Sequence, residues 1–264
     1  MIDLHSHILP GIDDGPSTLE ESVEMGKLYA QAGFSRVVAT PHWVPGSAWM
    51  PGRDAVERGV SELNAVLVEK QINVRVYAGM EIAMDSGLGG LFAQGRLPGL
   101  AGSSYLLIEA PFQQMPAGWE QVFLELKGKG CGVIMAHPER CGQLAADPAM
   151  FDAVVEAGVF LQVNYDSFLG GYGRQAADTA FYLAGRGYAH CLATDSHDTV
   201  YRYPGRVQKA LDAVEKAVGA EAADVMARQN PENVLAGRAL QVPVPAKGGR
   251  RKMPWWRRVM GDGL

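Results

Sequence analysis

Imidazole and carboxylate side chains recur in six short stretches that are spread over most of the chain. The first stretch, residues 3–7, places His5 and His7 on alternate positions, and Asp13 and Asp14 follow soon after. Alternate side chains of an extended strand point to one side, so these two imidazoles could chelate a single ion. The other stretches supply the remaining candidate metal ligands, which are His42, Glu81, Glu109, His137, Asp195 and His197.

Only the complete set favours a metal centre, because a single histidine near a strand end more often has a structural role. Burying carboxylates together without cations costs free energy, since like charges repel and burial opposes ionisation. Four carboxylates would need such counter-charge here, namely Asp14, Glu81, Glu109 and Asp195. The mixed nitrogen and oxygen set suits two or three divalent ions of manganese, iron or zinc, whereas calcium prefers oxygen ligands alone. Ordinary polar loops, or a metal cluster without a catalytic role, are the alternatives.

Short apolar runs alternate along the chain with segments of helical periodicity. Nearly continuous apolar runs are typical of parallel strands that are buried on both faces. Strands are predicted at residues 1–5, 36–40, 74–79, 105–110, 132–137, 160–165 and 190–195. A first helix is predicted after Ser17, and further helices at about 54–70, 118–129, 148–157, 174–186 and 205–217.

This alternation predicts an α/β fold in which helical crossovers join parallel strands. Seven such units favour a closed or nearly closed barrel, and an open doubly wound sheet is the structural alternative. Candidate ligands follow the carboxyl end of every predicted strand except the sixth, which offers the weaker candidates Asn164, Tyr165 and Asp166. Because barrel active sites are built at that end of the strands, we expect the ligands to meet there.

The chain divides by composition near residue 240. No repeat or linker interrupts residues 1–240, which we expect to form one domain. Residues 241–264 are expected to be a flexible tail, and from residue 246 onward they carry a net charge of +5 around Trp255 and Trp256. Such a tail could rest on an anionic membrane surface or remain solvated and disordered.

Composition also argues against several classes of protein. The net charge of −5 does not favour a nucleic-acid partner. The sequence has neither an apolar run long enough to span a membrane nor a secretory signal, so we expect a cytoplasmic protein. The three cysteines, Cys131, Cys141 and Cys191, fit no zinc or redox spacing, and none begins a Cys-x5-Arg phosphate loop. We therefore expect three free thiols and no cysteine nucleophile.

Five motifs resemble the polymerase-and-histidinol-phosphatase (PHP) superfamily. They are Asp3-Leu4-His5-Ser6-His7, Thr40-Pro41-His42, Gly79-Met80-Glu81, Ala136-His137-Pro138 and Thr194-Asp195-Ser196-His197. Within that superfamily, the stretches 7–16, 137–140 and 230–233 are similar to the bacterial capsule-biosynthesis protein-tyrosine phosphatases. The resemblance spans the chain up to the basic tail, which has no counterpart in the family pattern. It implies a distorted seven-stranded β/α barrel with a three-metal site that often holds manganese.

The resemblance also implies a role for each candidate ligand. One ion would be held by His5, His7, Glu81 and Asp195, and a second by Glu81, Glu109 and His137. A third would be held by Asp14, His42 and His197, with Asp14 favoured over its neighbour Asp13. Family members also carry an arginine after the fifth-strand histidine, which Arg140 matches. A second arginine follows the last histidine, where Arg202 and Arg206 are both candidates.

These residues suggest how a phosphate ester would be hydrolysed. A metal lowers the pKa of its bound water toward about 7, so a hydroxide bridging two ions could attack phosphorus. Arg140, with Arg202 or Arg206, would bind the phosphoryl oxygens through forked donors. A tyrosyl leaving group has a pKa of about 10 and has less need of a dedicated acid, for which Asp198 is a weak candidate.

The expected activity is therefore that of a metal-dependent protein-tyrosine phosphatase. The resemblance implies that its substrate would be a phosphorylated membrane tyrosine kinase that controls polysaccharide export, which would place the protein near the inner membrane face. Another phosphoesterase of the superfamily, such as a histidinol-phosphate phosphatase, is the first alternative, and a non-enzymatic metal-dependent binding module is the second. Five aromatic residues could stack on an aromatic substrate or pack within their loops, namely Trp43, Trp49, Tyr165, Phe168 and Tyr172.

Overall fold

A computed structural model of the 264-residue chain describes residues 1–246. Most of the predicted basic tail, including Trp255 and Trp256, lies outside the described residues. Among residues 1–246, no helix combines the length and the apolar character that crossing a membrane requires.

All seven predicted strands are present, with ends within two residues of the predicted ones. In chain order the strands are β1 (Ile2–Ser6), β2 (Arg36–Ala39), β3 (His42–Trp43), β4 (Arg75–Ala78), β5 (Glu81–Ala83), β6 (Tyr105–Glu109), β7 (Gly132–Ala136), β8 (Phe160–Asn164) and β9 (Ala189–Ala193). The short strands β3 and β5 were not predicted. They resume β2 and β4 after two-residue breaks, and each begins with a candidate metal ligand, His42 and Glu81.

The described strands form two sheets whose strand pairs are all parallel. One sheet has the order β1-β2-β4, and the other has the order β3-β5-β6-β7-β8-β9. Strand β1 is also joined to the segment after β9, because Asp195 N–H donates to the carbonyl of His5 and His7 N–H donates to that of Ser196, both at 2.9 Å. The predicted parallel arrangement is therefore confirmed, and it gathers the carboxyl ends of the strands on one side.

Helices connect most of the successive strands, as the alternation predicts. They are α1 (Leu19–Gln31), α2 (Arg53–Glu69), α3 (Leu88–Ala93), α4 (Trp119–Gly128), α5 (Gly142–Ala146), α6 (Met150–Glu156), α7 (Gly173–Arg186), α8 (Val207–Val218), α9 (Ala220–Asp224) and α10 (Asn230–Leu235). The five helices predicted by residue range correspond to α2, α4, α6, α7 and α8. Each supplies apolar side chains that are buried in the protein.

The strands are apolar along nearly their whole length because both of their faces are buried. In β6, Leu106 and Ile108 pack in the large cluster of buried residues, whereas Leu107 between them packs in a smaller second cluster. Strand β7 divides in the same way, with Val133 in the large cluster and Ile134 in the small one. Since neighbouring side chains of a strand point to opposite faces, one continuous apolar run fills both clusters.

His190, the sixth histidine of the chain, has a structural role at the start of β9. Its Nδ1 accepts the backbone N–H of Leu161 at 3.0 Å, which ties β9 to β8. Burial lowers the pKa of His190 to about 4, so the ring is neutral. This accounts for the one histidine that lies away from the candidate ligands.

Residues 241–246, which follow the predicted domain, are hydrogen-bonded to it. Gln241 N–H donates to Asn230 Oδ1 at 2.8 Å, and the Asn230 amide donates to the carbonyl of Gln241 at 2.8 Å. Ala246 N–H donates to the carbonyl of Val218, also at 2.8 Å. The chain therefore stays against the domain up to the last described residue.

Candidate metal centre

His5 and His7 lie at the end of β1, and their imidazole rings converge. The two Nε2 atoms are 3.2 Å apart, and neither residue is exposed to solvent. The alternation of side chains along an extended strand brings them to one side, as the sequence spacing predicts.

Glu81, the first residue of β5, lies between four of the five candidate histidines. Its Oε1 is 2.9 Å from His137 Nε2 and 3.3 Å from His5 Nε2. Its Oε2 is 3.0 Å from His42 Nδ1 and 3.4 Å from His7 Nε2. The side chain is only 1% exposed, so this carboxylate can be shared by several ions but reaches no bulk water.

Asp195, which follows β9, completes the centre of the cluster. Its Oδ1 is 3.4 Å from His5 Nε2 and 3.5 Å from His7 Nε2. Its Oδ2 accepts hydrogen bonds from Arg140 Nη1 at 2.9 Å and from Arg202 Nη2 at 2.8 Å. One oxygen therefore faces the imidazoles and the other faces the two guanidinium groups.

The three remaining candidates lie at the edge of the same cluster. Asp14 Oδ1 is 3.4 Å from His42 Nε2 and 3.3 Å from His197 Nε2. Glu109 Oε1 is 3.6 Å from His137 Nε2. All nine predicted ligands thus lie in four overlapping groups, and the ligand atoms of each group lie within 4.8 Å of one another.

The hydrogen bonds of three histidines leave one nitrogen free to bind a metal. His5 Nδ1 contacts Gln162 Oε1 at 2.8 Å, His7 Nδ1 contacts Asp13 Oδ2 at 2.6 Å, and His197 Nδ1 contacts the carbonyl oxygen of Asp195 at 2.9 Å. Each Nδ1 faces an acceptor and therefore carries the proton, so each Nε2 keeps a lone pair directed at the cluster.

Unsatisfied buried atoms also fit divalent cations. His42 Nδ1, Glu81 Oε2 and His197 Nε2 are buried and have no hydrogen-bond partner among residues 1–246. His42 Nδ1 and Glu81 Oε2 are nevertheless only 3.0 Å apart. Lone pairs that face each other at this distance without a hydrogen bond are accommodated by a cation that both can bind.

The pKa values of two carboxylates reflect the uneven distribution of positive charge. Burial opposes ionisation of Glu81, yet the neighbouring imidazoles, above all those of His5 and His137, hold its pKa well below the usual range. Burial and the nearby negative charge of Glu81 together raise the pKa of Glu109 to about 7. The imidazoles thus outweigh burial at the centre of the cluster, whereas at Glu109 burial and the charge of Glu81 outweigh the imidazoles.

The three candidate arginines do not occupy equivalent positions. Arg140 and Arg202 both contact Asp195, whereas Arg206 lies 3.3 Å from Asp166 Oδ2. Arg202 is held in place by its loop, because Asp198 Oδ1 accepts the backbone N–H groups of Val200 at 2.6 Å and Tyr201 at 2.5 Å. Asp198, the weak candidate for a general acid, therefore has its carboxylate engaged by the backbone.

Comparison with known proteins places this cluster in a family. The family model for capsular polysaccharide synthesis, CpsB/CapC, matches residues 1–236 of the chain. The chain belongs to the CpsB/CapC family. The resemblance to the capsule-biosynthesis branch, drawn from the motifs alone, is thereby confirmed.

Two relatives of this CpsB/CapC chain match it over nearly their whole length. Tyrosine-protein phosphatase YwqE of Bacillus subtilis is 33% identical over 255 residues, covering 96% of this chain and 98% of YwqE. Putative tyrosine-protein phosphatase CapC of Staphylococcus aureus is 27% identical over 252 residues, with 96% and 98% of the two chains covered.

A solved structure from a study of YwqE of Bacillus subtilis and CpsB of Streptococcus pneumoniae, described as unique metal-dependent tyrosine phosphatases, has the same fold. It matches with a TM-score of 0.88 and 32% sequence identity, covering 93% of this chain and 99% of that chain.

Strand β8 contributes two further residues to this CpsB/CapC site, Gln162 and Asn164, of which Asn164 was one of the weaker candidates from the sequence. Asn164 Nδ2 donates to Asp195 Oδ2 at 2.9 Å, and Gln162 Nε2 donates to Asn164 Oδ1 at 2.8 Å. A carboxylate can only accept, so Asp195 fixes the orientation of both amides and thereby presents Gln162 Oε1 to His5. Gln162 was missed from the sequence, although it stands two residues before Asn164 in an otherwise apolar strand.

The backbone at two of the candidate ligands is strained. His137 has a φ of 28° and Asp195 a φ of 54°, values that residues with a Cβ rarely adopt. Buried Asp3 supports the second of these positions, because its Oδ1 accepts the N–H of Thr194 at 3.0 Å and its Oδ2 accepts the hydroxyl of Tyr29 at 2.8 Å. Asp3 is part of the first motif, but the sequence alone did not indicate this role.

The five candidate aromatic residues divide into two groups. Trp43, Tyr165 and Phe168 are buried, which makes them packing residues. Trp49 is 39% exposed and stacks on the ring of His42, with centroids 5.2 Å apart. Tyr172 contacts Arg140, whose guanidinium carbon lies 4.3 Å from the ring centroid.

Replacing Gln162 with leucine tests whether hydrogen bonding from β8 orients the ligands. Gln162→Leu keeps the side chain's size but removes the acceptor for His5 Nδ1, so His5 loses its fixed orientation. We expect metal affinity to fall about 10- to 100-fold, as measured by competition with a chromophoric chelator. Gln208→Leu, on the exposed side of α8, is the matched control and should bind metal like the parent. Equal affinities for both variants would contradict the proposed orientation.

Proposed function

We propose that this chain is a metal-dependent protein-tyrosine phosphatase that acts in capsule or exopolysaccharide biosynthesis. One observation carries the proposal: nine metal-capable side chains lie together, and two arginines contact one of them, Asp195. The relatives YwqE and CapC, which bear the name tyrosine-protein phosphatase, support the same activity.

Arg140 and Arg202 would bind the phosphoryl group of the substrate. Both guanidinium groups donate to the same oxygen of Asp195, which leaves each with further N–H groups. Arg202 Nε is buried and has no hydrogen-bond partner among the described residues, so one donor is available for an incoming oxygen. Forked donors of this kind suit the geometry and negative charge of a phosphate.

Nine residues would hold two or three divalent ions, and we propose manganese, with iron or zinc as alternatives. We propose the three sets that the family resemblance implies: His5, His7, Glu81 and Asp195; Glu81, Glu109 and His137; and Asp14, His42 and His197. When bound, such ions lower the pKa of a coordinated water and neutralise phosphoryl charge. Gln162, Asp13 and the carbonyl of Asp195 keep the Nδ1 protons of their histidines away from the cluster.

The cysteines take no part in this chemistry. All three are buried and free, and burial raises the pKa of Cys131 to about 12. A thiol that stays protonated at neutral pH is a poor nucleophile. The absence of a Cys-x5-Arg loop in the sequence agrees with this, so the attacking group comes from water.

Several finer expectations from the sequence belong to the same proposal. We propose that the two sheets together form a distorted seven-stranded barrel, that residues 1–240 are the catalytic domain, and that residues 241–264 form a tail. The protein would act in the cytoplasm on a membrane tyrosine kinase. The basic part of the tail would contact the inner membrane face through Lys and Arg side chains and two tryptophans.

Removing the metal tests the proposed function directly. The protein loaded with manganese should hydrolyse a phosphotyrosine peptide, lose that activity after treatment with EDTA and dialysis, and regain it when manganese returns. Thiol alkylation should leave the rate unchanged. Faster turnover of histidinol phosphate than of the peptide would instead favour the related phosphatase activity. No turnover of any phosphomonoester by the metal-loaded protein would favour a binding module.

Paired arginine variants test which side chain binds phosphate. Arg202→Lys should raise the KM for phosphotyrosine about tenfold or more, because a single ammonium group cannot replace a forked donor. Arg206→Lys should change the KM little, since Arg206 contacts Asp166 outside the ligand cluster. Steady-state kinetics at saturating manganese distinguish the two variants. A larger effect at position 206 would reverse the assignment.

Deleting residues 247–264 tests the proposed role of the tail. The shortened protein should bind anionic liposomes more weakly in a sedimentation assay, because it has lost six basic side chains and two tryptophans. Turnover of free phosphotyrosine should not change. Equal liposome binding by the two proteins would rule out the membrane contact.

A further inference from the structure

A cavity of about 260 Å³ lies beside the metal-ligand cluster, between α5 and α7. Its walls include Phe112, Arg140, Tyr172 and Ala176, whereas none of the nine proposed metal ligands lines it. The cavity is smaller than a typical pocket for a whole organic ligand, which occupies roughly 300–1,000 Å³. It is suited to a single side chain of a larger substrate.

Arg140 forms a wall shared by this cavity and the phosphate site. Its guanidinium carbon lies 4.6 Å from the ring centroid of Phe112 and 4.3 Å from that of Tyr172, so the group is held between two aromatic rings. Its Nη1 meanwhile donates to Asp195. Cation–π contacts on both sides fix the orientation of the guanidinium plane. A phosphoryl group bound to Arg140 would therefore lie directly next to the cavity.

Glu139 supplies the cavity with an unsatisfied hydrogen-bond acceptor. The residue is 1% exposed and lines the cavity. Its Oε1 accepts the N–H of Asn164 at 2.9 Å and the hydroxyl of Ser167 at 2.6 Å, which fixes the carboxylate. Its Oε2 has no partner among residues 1–246. A buried acceptor left unpaired costs free energy, and that energy is recovered when a ligand provides a donor.

We propose that this cavity binds the residue next to phosphotyrosine in a peptide substrate, through a neutral N–H or O–H group that donates to Glu139 Oε2. This inference rests on the proposed phosphatase function. The occupant carries no positive charge, because a cationic side chain such as that of lysine would approach the guanidinium group of Arg140. An acidic side chain is also excluded, because a carboxylate has no N–H or O–H group to donate to Glu139 Oε2.

Peptides that differ only beside phosphotyrosine test the chemistry of the site. The manganese-loaded full chain is assayed with free phosphotyrosine and with short phosphotyrosine peptides whose neighbouring residues are asparagine, leucine or lysine. We expect the asparagine peptide to have a kcat/KM about five- to tenfold above that of the leucine and lysine peptides, as expected for one hydrogen bond. Equal values for the three peptides would overturn the proposal.

Two variants locate the preference in the cavity. Gln175 lines the cavity from the exposed face of α7, so Gln175→Trp should block it without disturbing the core. This variant should lose the advantage of the asparagine peptide and keep the parent kcat/KM for free phosphotyrosine. Glu139→Gln should also lose that advantage. The amide oxygen of the glutamine would keep the hydrogen bonds from Asn164 and Ser167, which would leave a donor NH2 group in place of the acceptor Oε2. Full retention of the preference for the asparagine peptide in either variant would overturn the proposal.

A matched control uses a second cavity, of about 490 Å³, near Met84 and Trp119. Ala117→Trp adds an equally large ring at its exposed edge and should leave all peptide ratios unchanged. An equal loss of preference in this control would assign the effect to general crowding and overturn the proposal. If the parent protein failed to hydrolyse even free phosphotyrosine, the proposed phosphatase function itself would be overturned. Equal kcat/KM values for the three peptides would overturn only the proposed binding at the cavity.

Discussion

The site depends on one constraint: it buries several carboxylates where bulk water does not reach them. Glu81 and Asp195 are each 1% exposed, and they lie within 3.5 Å of the same two imidazole nitrogens, those of His5 and His7. Carboxylates in such surroundings stay ionised only next to positive charge. Divalent ions would supply that charge in the working enzyme, and two guanidinium groups already supply part of it.

The surroundings of the cluster orient it before any ion binds. A hydrogen-bonded chain runs from Asp195 through Asn164 and Gln162 to His5, and it sets both amides and the tautomer of the imidazole. Asp3 supports Thr194, next to the strained backbone of Asp195. Because the outer residues hold the ligands in position, less order has to be gained when metal binds. Strain at His137 and Asp195 is tolerated because the rest of the structure determines their positions.

Arg140 connects this cluster to the surface that a protein substrate would meet. Its charge is shared between Asp195 on one side and the rings of Phe112 and Tyr172 on the others. The guanidinium group is therefore rigid, although it is 18% exposed. Under the proposed function, this rigid donor beside a small cavity would let the protein bind both the phosphate and the residue next to it in the substrate.

The sequence by itself determined seven of the nine described strands, the main helices between them and the nine metal-capable residues. It could do so because a strand buried on both faces needs an unbroken apolar run, and because the polar residue that ends such a run is conspicuous. It also supported the family, through motifs that the comparison with CpsB/CapC confirms.

Only the tertiary structure decided which residues support the metal ligands through hydrogen bonds. Gln162 and Asp3 belong to strands distant in sequence from the residues that they orient, so no spacing reveals the contacts. The same holds for Arg202 and Arg206, which are four residues apart but contact Asp195 and Asp166 respectively. The short strands β3 and β5 exist only because the chain resumes pairing after a break: β3 pairs with β5, and β5 pairs with β6. Pairing between distant segments depends on the folded backbone, and local sequence patterns do not encode it.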